Sequence, residues 1–101
     1  MITRHWTGQV KPAEAENYLH YLREELFPKL RQLKGYLGAS VQRREAAGAT
    51  EFLVISSWQS MEDISRFAGE KAAVAVVSEK AQRMMVSFEK EVRHYEVAYA
   101  E

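Results

Sequence analysis

Thr50-Glu51-Phe52-Leu53-Val54-Ile55-Ser56-Ser57-Trp58 is the stretch on which the fold turns. It reads as a strand, with Phe52, Val54 and Trp58 on one face and Leu53 and Ile55 on the other. Both faces are apolar, so both call for cover. Ala46-Ala47-Gly48-Ala49, just upstream, is of hairpin length and makes Tyr36–Glu45 the pairing strand. Downstream, Ser60 stands three residues before Asp63 in a capping-box-like helix start. Met61, Ile64 and Phe67 continue that helix, and Gly69 ends it.

Working outward, Ile2–Val10 alternates as a strand, with Ile2, Arg4, Trp6 and Gly8 on one face and Thr3, His5 and Thr7 on the other. Pro12 suits a helix first turn. From Ala13 to Leu33 the residues Ala15, Leu19, Leu22, Leu26, Leu30 and Leu33 form one helical stripe, and Gly35 follows as a stop. Pro28 inside this helix clashes with the Glu24 carbonyl and predicts a kink. Ala72–Val77 fits helix or extended chain equally. Ser78 caps a short helix expected to carry Ala81, Met85 and Phe88, and Glu91–Tyr99 is the last strand. The order β-α-β-β-α-β predicts one α+β, ferredoxin-like domain over residues 1–101. Right-handed crossovers put both helical layers on one face of a four-stranded antiparallel sheet. The other face, apolar at Leu53 and Ile55 and extended by Tyr95, Val97 and Tyr99, needs a partner, which a symmetric homodimer supplies.

Composition narrows the function classes. Fourteen Lys and Arg balance fourteen Asp and Glu, so no sequence-wide charge attracts nucleic acid or an anionic membrane. Arg43 and Arg44 form a local basic pair, but Glu45 and Glu51 offset it. There is no cysteine, which excludes disulfides and thiolate sites and fits a cytoplasmic location. The first ten residues lack a signal-peptide h-region, and no apolar run approaches the roughly 20 residues of a membrane span. His5, His20 and His94 are the only histidines and Asp63 is the only aspartate, with no metal-ligand spacing among them.

Several fragments then carry a resemblance in their order and spacing. They are Met1-Ile2-Thr3-Arg4-His5-Trp6-Thr7-Gly8, Lys34-Gly35-Tyr36-Leu37-Gly38-Ala39, Glu51-Phe52-Leu53-Val54-Ile55-Ser56, and Trp58-Gln59-Ser60-Met61-Glu62. Phe67-Ala68-Gly69-Glu70, Ala75-Val76-Val77 and Val92-Arg93-His94-Tyr95-Glu96-Val97 complete them. Over nearly its whole length the chain resembles the antibiotic biosynthesis monooxygenase (ABM) family of the dimeric α+β barrel superfamily. The resemblance implies two ferredoxin-like protomers joined through their sheets, each with a pocket between sheet and helices. It also implies a cofactor-independent monooxygenase acting on a small aromatic or quinol-like metabolite. The same superfamily leaves two alternatives, a non-catalytic homodimer that binds a small hydrophobic ligand, and an isomerase or cyclase of ring compounds.

Such an oxygenase needs a base, cover for an oxyanion, and flat apolar walls. His94 is the candidate base, since a neutral imidazole is accessible at cellular pH. Arg4 is the candidate for neutralising a substrate oxyanion, and Trp6, on the same strand face, for stacking on a ring. Trp58 matches a family position that is often aromatic and walls the pocket. Tyr18, Phe67 and Met85 complete the candidate substrate-binding set, though helical spacing alone also explains Phe67 and Met85 as core. Haem-degrading relatives use a first-strand Asn and a helix-borne axial His. Here Asn17, the only Asn, lies on the first helix, and Met61–Phe88 contains no His.

Overall fold

A computed structural model describes residues 1–101. Strand β1 (Ile2–Val10) leads through a 3-10 turn at Pro12–Glu14 into helix α1 (Ala15–Tyr21), a π-helical turn (Leu22–Leu26) and helix α2 (Phe27–Leu30). Strands β2 (Tyr36–Ala46) and β3 (Ala49–Trp58) form the hairpin, and α3 (Met61–Ala68) follows. A segment without helix leads to α4 (Glu79–Gln82), β4 (Met85–Phe88) and β5 (Arg93–Glu96). β1 pairs antiparallel with β3 along its full length, from Ile2 opposite Trp58 to Val10 opposite Thr50. On its other side it pairs first with β4, at Gly8–Val10, and then with β5, at Ile2–His5. The sheet order β2-β3-β1-β4 is the ferredoxin-like arrangement expected, but the place of the single last strand Glu91–Tyr99 is shared by β4 and by β5, which covers only Arg93–Glu96 and leaves Val97 and Tyr99 beyond the strand.

Three local outcomes differ from the sequence reading or refine it. The helix of Ala13–Leu33 is not simply kinked at Pro28. It widens one turn earlier, where the Phe27 amide bonds back to the Leu22 carbonyl, five residues away. That wide turn accommodates a proline that lacks an N–H and crowds the preceding carbonyls. Met85 and Phe88 lie on a strand, not on the short helix. α4 is a single turn capped by Ser78, whose Oγ accepts from the Ala81 amide at 3.2 Å. Its exit is taken over by the end of β1: the Lys11 amide donates to the Met84 carbonyl at 2.9 Å, and Lys11 Nζ to the Arg83 carbonyl at 3.1 Å. The chain is thereby drawn onto the sheet edge, with Phe88 opposite Gly8.

The third outcome concerns Ala72–Val77, which turns at Ala72–Ala73 and runs on without helix from Val74. The Ala75 amide donates to the Lys90 carbonyl at 2.8 Å and the Val92 amide to the Ala73 carbonyl at 2.8 Å, beside an antiparallel bridge from Val74 to Glu91. This strap lies across the helical side of the sheet. Its place follows from tertiary pairing, which is why a short apolar run was ambiguous in isolation.

Two clusters form the core. One gathers Val10, Tyr18, Leu22, Phe52, Ala81, Met84 and Met85, and the other gathers Leu30, Trp58 and Ile64. Gly35 fastens the second cluster to the hairpin. It takes φ +84°, and a side chain there would strike the Asp63 carboxylate. Asp63 is itself buried and accepts from Ser60 Oγ at 2.9 Å and from Arg66. On the sheet face away from the helices, Leu53 and Ile55 stand with His5 and with Tyr95, which is 52% exposed.

Candidate functional site

Between the two core clusters lies a cavity of about 70 Å³. The sheet supplies one wall, with Arg4 and Trp6 from β1 and Val54 and Ser56 from β3. Tyr18, Leu22 and Leu26 face them from the first helical segment, and Val76 and Val77 come from the strap. Thirteen of its sixteen lining residues are apolar, so a ligand held there is mostly apolar too. No helix of the protein is long and apolar enough to cross a membrane, and nowhere do three His, Asp or Glu side chains converge as metal ligands would.

Arg4 is the charged residue of this cavity and is 5% exposed. Its Nη1 donates to the Ala72 carbonyl at 2.5 Å and to His94 Nε2 at 2.9 Å, and its Nη2 donates to the Val74 carbonyl at 3.2 Å. The guanidinium carbon sits 5.6 Å from the centre of the Phe67 ring. None of the ion pairs of the protein includes Arg4. Burial pulls its pKa down to about 10, which leaves it a cation at neutral pH. The cavity is thus bordered by a buried positive charge satisfied by neutral acceptors and lacking a counter-ion.

A guanidinium can only donate, so His94 Nε2 is the acceptor and Nδ1 carries the proton. Burial first, then Arg4 and His5, push the His94 pKa below its ordinary value and keep the ring neutral. Register explains the meeting: His94 pairs with Arg4 across β1 and β5, on the same sheet face.

Of the residues singled out in sequence, Arg4, Trp6, Tyr18 and Phe67 border the cavity. His94 reaches it through Arg4, while Trp58 and Met85 are not among its lining residues. Trp58 is fully buried behind Phe67, stacked at 5.8 Å, with Nε1 donating to Ser56 Oγ at 2.9 Å. Met85 packs in the first core cluster. Trp6 lies over Gly8, where a Cβ would collide with the indole, and its Nε1 donates to the Glu89 carbonyl at 2.8 Å. Sequence reasoning missed Val76, Val77 and Ser78 as lining residues. The signal for Val76 and Val77 was the apolar run Ala72–Val77, whose conformation stayed open, whereas Ser78 read only as a helix cap. Ser78 Oγ lies 2.9 Å from the Tyr21 hydroxyl.

A family model described as antibiotic biosynthesis monooxygenase matches residues 1–79, a span that ends before β4 and β5 and so excludes His94. No curated protein matches the chain. Among solved structures it is similar to a Bacillus cereus protein described as a candidate antibiotic biosynthesis monooxygenase, at 16% identity and a TM-score of 0.71, covering all of this chain and 94% of that one. It is also similar to a conserved protein of Methanosarcina mazei Go1, at 14% identity and a TM-score of 0.65, covering 93% of this chain and 89% of the other. A third likeness is to a dimeric ferredoxin-like protein from an uncultured marine organism, at 14% identity and a TM-score of 0.64, covering 100% and 98% of the two chains. At these identities the structural likenesses establish the fold.

Proposed function

This chain belongs to the antibiotic biosynthesis monooxygenase family, and from that premise we propose that it oxidises a small aromatic or quinol-like metabolite with molecular oxygen, without a cofactor. The observation that carries the reading is Arg4: a buried cation without a counter-ion on the wall of an apolar cavity. A phenolate or enolate formed there supplies the missing negative charge. Trp6 and Phe67 offer flat surfaces for its ring.

In the proposed reaction a ring hydroxyl or activated CH2 loses a proton. His94 Nε2 receives it when Arg4 turns Nη1 from the imidazole to the substrate oxygen. The anion passes one electron to oxygen, and the resulting radical and superoxide join through a new C–O bond. The protonated peroxide then loses water and leaves a carbonyl. One oxygen atom ends in the product and one in water, and the substrate supplies both electron pairs' worth of reduction by giving up two hydrogens and gaining the C=O bond.

We place this chemistry in a cytoplasmic homodimer. The dimer covers the sheet face that carries Leu53, Ile55 and Tyr95, which the helices leave bare.

Oxygen uptake against a panel of quinols, anthrones and flavonols tests the function. Uptake above the uncatalysed rate, reduced at least tenfold by Arg4→Met, supports it. Tight ligand binding without uptake moves the protein to the ligand-binding class. Product formation in the absence of oxygen identifies an isomerase or cyclase.

A further inference from the structure

The sheet face turned away from the helices carries an imidazole near its centre. His5 is the fourth of the nine residues of β1, an inner strand that runs between β3 and the edge shared by β4 and β5. Ile55 stands opposite it on β3 and Arg93 opposite it on β5. Thr3 Oγ1 lies 2.9 Å from His5 Nε2, and the Tyr95 ring meets the imidazole edge-on at 4.9 Å. The ring is thereby fixed through Nε2, and Nδ1 is left without a partner in the protomer.

No carboxylate holds a second proton on that ring. None of the ion pairs of the protein includes His5. Leu53, Ile55 and Ser57 of β3 share its face, as do Thr3 and Thr7 of its own strand, and none of these ionises. On β5 the charged neighbour is Arg93, which is exposed, joins no ion pair and has the sign of an imidazolium. His94, the next residue, turns to Arg4 on the other face. Glu89, whose amide donates to the Thr7 carbonyl, and Glu91 stand exposed at the margin. Glu51 lies opposite Gln9, four residues or about 13 Å along β1, and is engaged by Arg44 at 2.8 Å and by Gln9 at 2.9 Å. Burial pushes the His5 pKa below its ordinary value even in one protomer, and no acid pulls it back up.

In a two-fold dimer through this face, the centre of the face lies beside the axis and meets the same region of the second copy. Such a centre must match itself. With neutral imidazoles it is uncharged, and Leu53, Ile55 and Tyr95 give it apolar cover. A proton on each ring instead sets two like charges near the axis, beside two Arg93 side chains, and turns each Nδ1–H toward groups that cannot accept it. We propose that this face pairs with a second copy of the chain only while His5 is neutral, so that each protomer gives up its His5 proton on pairing and acid drives the dimer apart. This rests on the homodimer proposed above and supplies its control; the cavity and its chemistry play no part in it.

Sedimentation equilibrium over a dilution series between pH 8 and pH 5.5 tests it. The dimer dissociation constant is expected to rise at least about tenfold across that range. Its slope approaches about hundredfold per pH unit once His5 of the free protomer titrates, because two protons are bound for each dimer lost. His5→Gln keeps a neutral polar group beside Thr3 and is expected to hold the dimer together at every pH. A dissociation constant that ignores pH overturns the proposal, as does one that falls in acid or a pH dependence that survives His5→Gln. Should the variant not fold, an NMR titration of the His5 ring in the unaltered protein, above and below the dissociation constant, decides instead. A midpoint lower in the dimer than in the monomer supports the proposal, and one midpoint for both overturns it. The two readings fail differently. A monomer at pH 8 removes the homodimer and the switch with it, whereas a dimer indifferent to pH keeps the homodimer and removes the switch alone.

Discussion

Arg4 Nη1 stands 2.9 Å from His94 Nε2, which ties the first strand to the last across residues ninety positions apart. The same guanidinium holds the strap through the carbonyls of Ala72 and Val74. One buried cation thereby joins the cavity wall, its cover and a neutral imidazole. Any movement of Arg4 toward a ligand loosens the other two.

Arg4→Met keeps an unbranched side chain and removes all three of these bonds. The expected result is local: hydrogen exchange at the Ala75 and Val92 amides, whose bonds fasten strap residues 75 and 73 to residues 90 and 92, accelerates about tenfold or more, the effect of losing about 1.4 kcal/mol of local stability. Amides shared by β1 and β3 keep their protection. Uniform acceleration across the sheet would instead mean that Arg4 supports the whole fold.

The lowered pKa of His94 fixes the sign of a pH effect. Its causes are burial first, then Arg4 and His5. Between the folded value and the ordinary value of about 6.5 the unfolded chain binds more protons, so stability falls with falling pH. The contribution is full above about 6.5 and is lost as pH drops through the folded value. Urea midpoints at pH 7.5 and 5 measure it. His94→Gln is expected to flatten the profile in part, since His5 is lowered by burial as well and titrates in the same direction.

Gly8→Ala places a methyl group where the Trp6 indole lies. Overpacking of this kind costs about 1–3 kcal/mol. A lowered midpoint should be accompanied by changed tryptophan emission, attributable to Trp6 by repeating the measurement in a Trp6→Phe background. Trp58, which is wholly buried behind Phe67, provides the constant signal.

Gly35→Ala meets two penalties together. The backbone takes φ +84°, and the new Cβ strikes Asp63. A left-handed non-glycine residue alone costs about 1–3 kcal/mol, and displacing Asp63 disturbs the cap of α3. Thermal unfolding is expected to show a larger loss than Gly8→Ala. Equal losses would show that Asp63 moves aside without cost.

Tyr95→Glu puts a charge on the bare sheet face, opposite Thr3 and against the His5 ring at 4.9 Å. Light scattering is expected to give a dimer for the unaltered protein and a monomer for the variant, because an unpaired charge is costly in an apolar interface. A monomer in both cases removes the homodimer and leaves that face for another partner.

The hairpin, the first strand and the capped α3 were legible because each is a local pattern. Alternation marks Phe52, Val54 and Trp58, and Ser60 and Asp63 cap their own turn. The β-α-β-β-α-β order followed from those elements and led to the ferredoxin-like fold. The candidate set was also partly legible. Arg4 and Trp6 share a strand face by period alone, and both border the cavity.

The rest depended on contacts between distant segments. Met85 and Phe88 fit helical spacing as well as they fit a strand, and the Lys11 bonds beside Met84 and Arg83 decide for the strand. Val76 and Val77 become a cavity wall only because Arg4 and residues 90–92 hold the strap in place. Trp58 was equally fit for pocket or core, and the arrival of Phe67 in front of it makes it core. Tyr18, buried while its hydroxyl bonds to no other group of the protein, is the clearest instance. Sequence can place a tyrosine on the inner face of a helix, but whether its oxygen meets a hydrogen-bond partner depends on every side chain packed around it.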